Sequence, residues 1–294
     1  MRARTTLVGA LALSLALAGC APSEQPGAPA PSPSEPGPEA PVRPAVIDEV
    51  TRILVLGDSV TLGVNSCVED DRICERASWA TGDAEVGSLA TRAAAQNPDA
   101  RVTALARDGA RLSTAVGNLD RVLAEEPELV IVFLGANDAC APSLTEMTTV
   151  DAFAEQLTAL VDALEARSAP RILLVEVPDL QNVWEQGHRN RTALRVWASS
   201  PACRSLLADA ESTGDDAAER RAEVGERVEG YNAVIRGVCA ERPRCATDGG
   251  AVHDHPFRAS DLSPIDFFHP SEDGQRIIAA LIWRALADVP GGGR

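Results

Sequence analysis

The chain has 294 residues, 45% of them hydrophobic and 24% charged, and a formal net charge of −16. This length and composition are sufficient for one sizeable buried core. The basic residues are all arginine and form no basic stripe, which argues against nucleic acid as a partner. The acidic excess also argues against electrostatic docking on anionic lipid.

Residues 1–19 have the pattern of a signal peptide. Arg2 and Arg4 precede an apolar run over residues 7–18, which is too short to span a bilayer. Small residues then lead to Cys20, an arrangement that resembles a bacterial lipoprotein signal and implies lipid attachment to Cys20 after cleavage. Ordinary secretion, with Cys20 as an incidental thiol, is the alternative.

A proline-rich stretch follows the signal peptide. Over residues 20–45, prolines alternate with Ala, Ser, Gly and Glu, a composition that cannot bury a core and favours an extended spacer. We therefore expect a disordered tether between lipidated Cys20 and a folded domain over residues 46–289, with a flexible tail at residues 290–294. The expected location is extracytoplasmic, at the cell membrane.

The cysteine content agrees with an oxidising compartment. The chain has 7 cysteines. Without Cys20, an even set suited to disulfides remains, namely Cys67, Cys74, Cys140, Cys203, Cys239 and Cys245. Six cysteines allow 15 pairings, among which sequence cannot choose. Short local loops favour pairing the first two with each other and the last two with each other, which leaves Cys140 with Cys203. A zinc site is the alternative, but no Cys-x-x-Cys spacing supports it.

Strand-like apolar runs alternate with helical stretches along the folded domain. The four strongest runs cover residues 52–56, 101–106, 129–134 and 171–177. Helices are predicted over residues 85–96, 112–126, 151–167, 217–240 and 271–287, and a weakly marked fifth strand near residues 245–252. Alternating helices and continuously apolar strands predict a parallel sheet covered on both faces.

Four short polar blocks follow the predicted strands or precede the last helix. They are Gly57-Asp58-Ser59, Arg107-Asp108-Gly109-Ala110, Gly135-Ala136-Asn137-Asp138 and Asp266-Phe267-Phe268-His269-Pro270. Each block alone is more typical of a turn or a helix cap than of catalysis. Ligands in open α/β sheets bind at the carboxyl edge, so the four blocks together predict an active site there.

The blocks contain the residue types that nucleophilic catalysis needs. A serine hydroxyl requires an adjacent base, which makes Ser59 the candidate nucleophile and His269 the candidate base. Asp266, three residues before the histidine, can orient the imidazole. Candidate donors to an oxyanion are the backbone N–H groups of Ser59 and Gly109 and the side-chain amide of Asn137.

Three other histidines, His188, His253 and His255, compete for the role of base. The last two flank Asp254, and this trio in isolation suggests metal binding. An exposed loop is the favoured interpretation, because no further cluster completes a metal site.

The order and residue types of the four blocks resemble the SGNH hydrolases, also called GDSL esterases and lipases. The resemblance covers about residues 47–287, with Val60 in place of the motif's leucine, and extends to secreted actinobacterial members that often carry three disulfides. It implies a three-layer α/β/α sandwich with a mostly parallel five-stranded, flavodoxin-like sheet, and neither metal nor cofactor. The site residues that it implies are the nucleophile Ser59, the base His269, its partner Asp266 and the oxyanion-hole residues Ser59, Gly109 and Asn137.

We therefore expect a monomeric, lipid-anchored extracytoplasmic serine esterase that acts through an acyl-Ser59 intermediate. Two alternatives stay open: an O-acyltransferase or deacetylase acting on cell-surface glycans, and a binding lipoprotein with a degenerate site. Short or medium acyl esters are favoured over phospholipids as substrates. Candidate residues for an acyl pocket are Trp184, Trp197, Phe257, Leu262, Phe267 and Phe268, but burial in the core is the favoured interpretation for most of them, since only 3% of the chain is aromatic.

Overall fold

The computed structural model describes residues 42–69 and 72–291. The predicted signal peptide, Cys20 and most of the tether therefore lie outside the described residues, as do residues 292–294 of the predicted tail. Among the described residues, no helix combines the length and the apolar character needed to cross a membrane.

A five-stranded parallel sheet forms the centre of the domain. Its strands are β1 (Arg52–Gly57), β2 (Arg101–Ala106), β3 (Leu129–Val132), β4 (Arg171–Leu174) and β5 (Cys245–Thr247). They are hydrogen-bonded in the order β2-β1-β3-β4-β5, and every neighbouring pair is parallel. The sheet confirms the predicted arrangement, and it places the carboxyl end of β1 between those of β2 and β3.

The described part of the chain contains eleven α-helices. They are α1 (Ala45–Asp48), α2 (Leu89–Gln96), α3 (Leu112–Val116), α4 (Leu119–Ala124), α5 (Ala136–Ala139), α6 (Val150–Arg167), α7 (Leu180–Gly187), α8 (Arg191–Ser199), α9 (Arg204–Leu207), α10 (Asp215–Ala240) and α11 (Glu272–Ala285). Short 3₁₀ turns occur at Glu75–Ala77, Leu144–Glu146, Ala259–Asp261 and Leu286–Asp288. The three longest helices, α6, α10 and α11, confirm predicted helices.

Two other predicted helices differ in extent from the observed ones. The helix expected over residues 85–96 begins only at Leu89, because the Ser88 side chain accepts a backbone N–H of the first turn and so fixes the start of α2. The helix expected over residues 112–126 is divided into α3 and α4 at Gly117, which ends α3. The cap at Ser88 and the break at Gly117, rather than apolar periodicity, set these boundaries.

The fifth strand is shorter than the predicted residues 245–252. It ends at Thr247, because Gly249 and Gly250 adopt positive φ values of 63° and 80°. Glycine takes these angles without a steric cost, and they turn the chain away from an extended path.

Helices cover both faces of the sheet. Leu54 and Leu56 of β1 belong to a core cluster that includes buried residues of α6 and α10. Ile53 and Val55 point to the opposite face and pack with buried residues of α1, α2 and α11. The domain is therefore the three-layer α/β/α sandwich that the resemblance implied.

Three disulfides stabilise the described domain. The bonded pairs are Cys67–Cys74, Cys140–Cys203 and Cys239–Cys245. The first pair lies in the loop after β1, the second joins the end of α5 to the start of α9, and the third joins α10 to β5. Two of the three thus constrain segments that follow the candidate site blocks.

Candidate active site

The first block lies where β1 ends. A side chain on Gly57 would collide with that of Thr61, which explains the glycine at this position. The carboxylate of Asp58 accepts the Val60 N–H at 2.9 Å and closes the following turn. Ser59 is therefore held at the carboxyl edge of the sheet, and only 5% of it is exposed.

Ser59, His269 and Asp266 form a continuous chain of side-chain contacts. The Nε2 of His269 lies 2.8 Å from the Oγ of Ser59, and its Nδ1 lies 2.6 Å from the Oδ2 of Asp266. Both are hydrogen-bond distances. The fold thus brings together the three residues predicted as nucleophile, base and orienting carboxylate.

The carboxylate of Asp266 has several donors besides the imidazole. Its Oδ1 accepts the backbone N–H groups of Phe268 and His269, each at 3.0 Å, and its Oδ2 accepts the Nδ2–H of Asn65 at 2.6 Å. Burial raises the pKa of Asp266, but the hydrogen bonds and the charge interaction with His269 lower this pKa below its ordinary value. Asp266 is therefore an anion at neutral pH.

A tight turn positions Asp266 beside His269. Phe267, between them, has a positive φ of 55°. Ser263 donates its backbone N–H to the His269 oxygen at 2.7 Å and accepts that of Phe267 at 2.8 Å. The indole N–H of Trp197 donates to the backbone oxygen of Asp266 at 3.0 Å. These bonds hold the backbone from which both side chains project.

Asn137 connects the loop after β1 with the loop after β2. Its Nδ2 donates to the Oδ2 of Asp58 at 3.2 Å and to the backbone oxygen of Ala110 at 3.1 Å. The amide thus contacts the neighbour of Ser59 and the neighbour of Gly109. The structure therefore brings the three predicted oxyanion-hole residues into one part of the site.

Two glycines in the blocks have positive φ values. Gly135 has a φ of 126° where the chain leaves β3, and a side chain there would contact Val177 at 2.5 Å. Gly109 has a φ of 70° in a turn closed by the Ala110 N–H and the Arg107 oxygen at 2.9 Å. A Cβ on Gly109 would meet no atom within 4 Å, so open space lies on that side of its Cα.

Two contributors to the site carry no distinctive signal in the sequence. Asp58 is typical of a turn residue, and its bond to Asn137 depends on the packing of separate loops. Asn65 lies in the loop after Ser59, where no periodicity marks it. Only the folded loop brings its amide within reach of Asp266.

The other three histidines have partners elsewhere. The Nδ1 of His188 lies 3.2 Å from the backbone oxygen of Trp184, and the Nε2 of His253 lies 3.0 Å from the carboxylate of Glu229. His255 packs against an aromatic ring. Within residues 42–69 and 72–291, no group of three or more His, Cys, Asp or Glu side chains is arranged to hold a metal ion.

An apolar cavity of about 70 Å³ lies beside His269. Its lining includes three of the residues predicted for an acyl pocket, Phe257, Leu262 and Phe268. Trp184 and Trp197 donate their indole N–H groups to backbone oxygens instead, and they are not part of this lining. Phe267 does not line it either.

Asp58 is the titratable group most affected by burial at this site. Burial raises the pKa of Asp58 from 3.8 to about 6, although its hydrogen bond with Val60 and the charge of His269 lower it. The carboxylates of Asp108 and Asp138 also contribute to this raised pKa. The folded protein therefore binds this proton more tightly than the unfolded chain does.

The raised pKa of Asp58 should make the free energy of unfolding depend on pH. Because the folded pKa exceeds the unfolded one, the stabilisation is present below about pH 4 and is lost as the pH rises to about 6. We expect the Asp58→Asn variant to lack this loss, which amounts to about 2–3 kcal/mol. Urea denaturation from pH 4 to pH 7.5 measures the difference between the two curves.

The exposed carboxylate of Asp120 provides the control, since Asp120→Asn should leave the wild-type pH dependence unchanged. Curves that stay parallel for the wild type and Asp58→Asn would contradict the raised pKa.

A family model described as the GDSL-like lipase/acylhydrolase family matches residues 55–277. No curated protein matches the sequence. Among solved structures, a Parabacteroides merdae protein assigned as a GDSL-like lipase is 17% identical, with a TM-score of 0.51 over 81% of this chain and 95% of that chain. An alpha/beta hydrolase from the metagenome of Lake Arreo, Spain, is 17% identical, with a TM-score of 0.50 over 82% and 97%. At these identities the structural likeness shows the fold alone.

Proposed function

Because the chain belongs to the GDSL-like lipase/acylhydrolase family and is an ester-hydrolysing enzyme, we propose that it cleaves carboxylic esters through an acyl-Ser59 intermediate. The observation that carries this proposal is the 2.8 Å contact between Ser59 Oγ and His269 Nε2. A base at this distance activates a serine hydroxyl. Asp266, on the other imidazole nitrogen, holds the ring with Nε2 unprotonated.

The proposed acylation step uses these contacts directly. The Nε2 of His269 takes the hydroxyl proton while Ser59 Oγ bonds to the ester carbonyl carbon. The resulting oxyanion accepts hydrogen bonds from the backbone N–H groups of Ser59 and Gly109. It also accepts one from the side-chain amide of Asn137, whose N–H donates to Asp58 before the ester binds. Collapse breaks the bond to the alcohol oxygen, which leaves with the proton from His269.

Deacylation repeats the sequence with water as the nucleophile. His269 takes a proton from water, the hydroxyl oxygen bonds to the acyl carbon, and the bond to Ser59 Oγ breaks as that oxygen regains the proton. The anionic Asp266 stabilises the imidazolium formed in both halves of the reaction.

A series of p-nitrophenyl esters from acetyl to palmitoyl tests the proposed function. The cavity beside His269 measures about 70 Å³, and a single water needs roughly 10–15 Å³ of the same kind of space. The cavity therefore fits an acyl chain of a few carbons. We expect kcat/KM to be highest for acetyl to butyryl esters and to fall about tenfold or more by octanoyl. Absence of hydrolysis at every length would contradict the esterase, and a maximum at palmitoyl would contradict the acyl pocket.

We further propose that the enzyme is an extracytoplasmic monomer anchored to the membrane by lipidated Cys20. The apolar signal over residues 1–19, the proline-rich residues 20–45 and the disulfides of the domain support this location. We expect an alkyne-labelled fatty acid to be incorporated into the wild type during expression and not into a Cys20→Ser variant. Equal labelling of both proteins, or of neither, would contradict the anchor.

A further inference from the structure

A second cavity, of about 270 Å³, lies between β2, at the edge of the sheet, and helices α3 and α4. Its inner wall consists of leucine, valine and alanine side chains. Gly57 and Ala110 also line it. It therefore borders the end of β1, just before Ser59, and the turn that carries Gly109.

The polar part of this cavity is basic. It is formed by Arg107, Thr114, Asn118 and Arg121, and we name the cavity the arginine crevice. Both arginines are exposed, and Arg107 Nη2 donates to Thr114 Oγ1 at 3.3 Å. None of the described residues that line the crevice is Asp or Glu, although the chain has 43 acidic and 27 basic residues.

Nearby carboxylates of the described residues do not form ion pairs with these two arginines. Asp108 follows Arg107 in sequence, but its carboxylate pairs with Arg72 at 2.5 Å. In the described part of the chain, no carboxylate forms an ion pair with Arg107 or Arg121. The crevice is thus a locally positive site in an acidic protein, and guanidinium groups in such a site favour a carboxylate or another anionic group.

The two cavities lie on different sides of the nucleophile. The apolar cavity beside His269 is lined by residues that follow β3 and β4, such as Ala136 and Pro178. Most residues that line the arginine crevice belong to β2, α3 and α4 or follow β2, on the opposite side of β1 in the sheet, although Leu134 after β3 also lines it. If the acyl chain occupies the apolar cavity, the alcohol part of the ester is directed towards the crevice.

We propose that the arginine crevice binds an anionic group, of which a carboxylate is the simplest case, on the alcohol part of the ester. This inference rests on the proposed esterase function. Arg107 and Arg121 contact the anionic group, while the apolar wall contacts the carbon skeleton that links it to the ester oxygen. The preferred substrates are then esters of short acyl chains with alcohols that carry an anionic group.

Two pairs of esters test the inference. The first pair, 3-carboxyphenyl butyrate and 3-carbamoylphenyl butyrate, differs by one charge on the alcohol part. We expect the ratio of their kcat/KM values, anionic over neutral, to fall about fivefold in Arg107→Gln and in Arg121→Gln at low salt. Added salt should lower the wild-type ratio as well. Comparing ratios between variants cancels the different reactivities of the two leaving groups.

Arg101→Gln is the matched control, because it makes the same change of charge at the opposite end of β2. It should leave the ratio unchanged, and an equal fall there would overturn the inference by showing an effect of net charge. An unchanged ratio in both crevice variants would overturn it too.

The second pair, p-nitrophenyl hemisuccinate and p-nitrophenyl butyrate, carries the charge on the acyl part. If the arginine variants lower the anionic-over-neutral ratio only for this second pair, the crevice does not bind the alcohol part of the ester, and the inference is overturned. Failure of the wild type to hydrolyse any of these esters would instead count against the esterase itself.

Discussion

Replacing Ser59 with alanine is expected to lower kcat for p-nitrophenyl butyrate by at least about 10³-fold. The substitution removes the oxygen that lies 2.8 Å from His269 Nε2 and that would carry the acyl group. Without it, only direct attack by water remains, assisted by whichever donors still bind the oxyanion. Steady-state kinetics on protein with an unchanged melting temperature measure the loss.

A control substitution separates this loss from general damage. Ser199→Ala removes an exposed hydroxyl that donates to the backbone of its own helix, and it should keep wild-type kcat. A fluorophosphonate reagent gives an independent readout, because it should modify the wild type at Ser59 and leave the Ser59→Ala variant unmodified. Similar kcat values for wild type and Ser59→Ala would show that Ser59 is not the nucleophile.

The sheet was predictable because its central strands are buried on both faces. Every residue of β3 and of β4 is buried, and all of them except Arg171 at the start of β4 are apolar, so each strand appears in the sequence as an apolar run. Element boundaries were less predictable, because one or two local residues decide them. The start of α2 depends on the Ser88 side chain, and the end of β5 on two glycines with positive φ.

The candidate site likewise has a part that the sequence predicts and a part that it does not. Residue types and order within four blocks were enough to select Ser59, Asp266 and His269, which the fold places in contact. The supporting bonds from Asn65 and to Asp58 join loops that are distant in the chain. No local pattern encodes them, since they exist only after the layers have packed.

Asn65 matters for the second large effect that we expect, in the Asp266→Asn variant. In the wild type, Oδ1 of Asp266 accepts two backbone N–H groups, while Oδ2 faces Asn65 Nδ2 and His269 Nδ1. An amide would keep its oxygen where the two backbone donors point. Its NH₂ group would then replace Oδ2 and face the imidazole.

This arrangement forces the wrong tautomer on His269. With an NH₂ group opposite it, Nδ1 must accept a hydrogen bond, so the ring proton moves to Nε2. A protonated Nε2 cannot take the proton of Ser59. We therefore expect kcat to fall by about 10³–10⁴-fold even though the shape of the side chain is almost unchanged.

Asp261→Asn makes the same substitution at a second buried aspartate shortly before Asp266, one whose carboxylate accepts the Arg258 N–H at 2.8 Å and does not contact His269. It should retain kcat within about threefold of wild type, provided that its melting temperature is similar. If Asp266→Asn loses no more activity than Asp261→Asn, the carboxylate does not control the tautomer of His269. A loss specific to Asp266→Asn places that control at Oδ2, the oxygen that receives both His269 and Asn65.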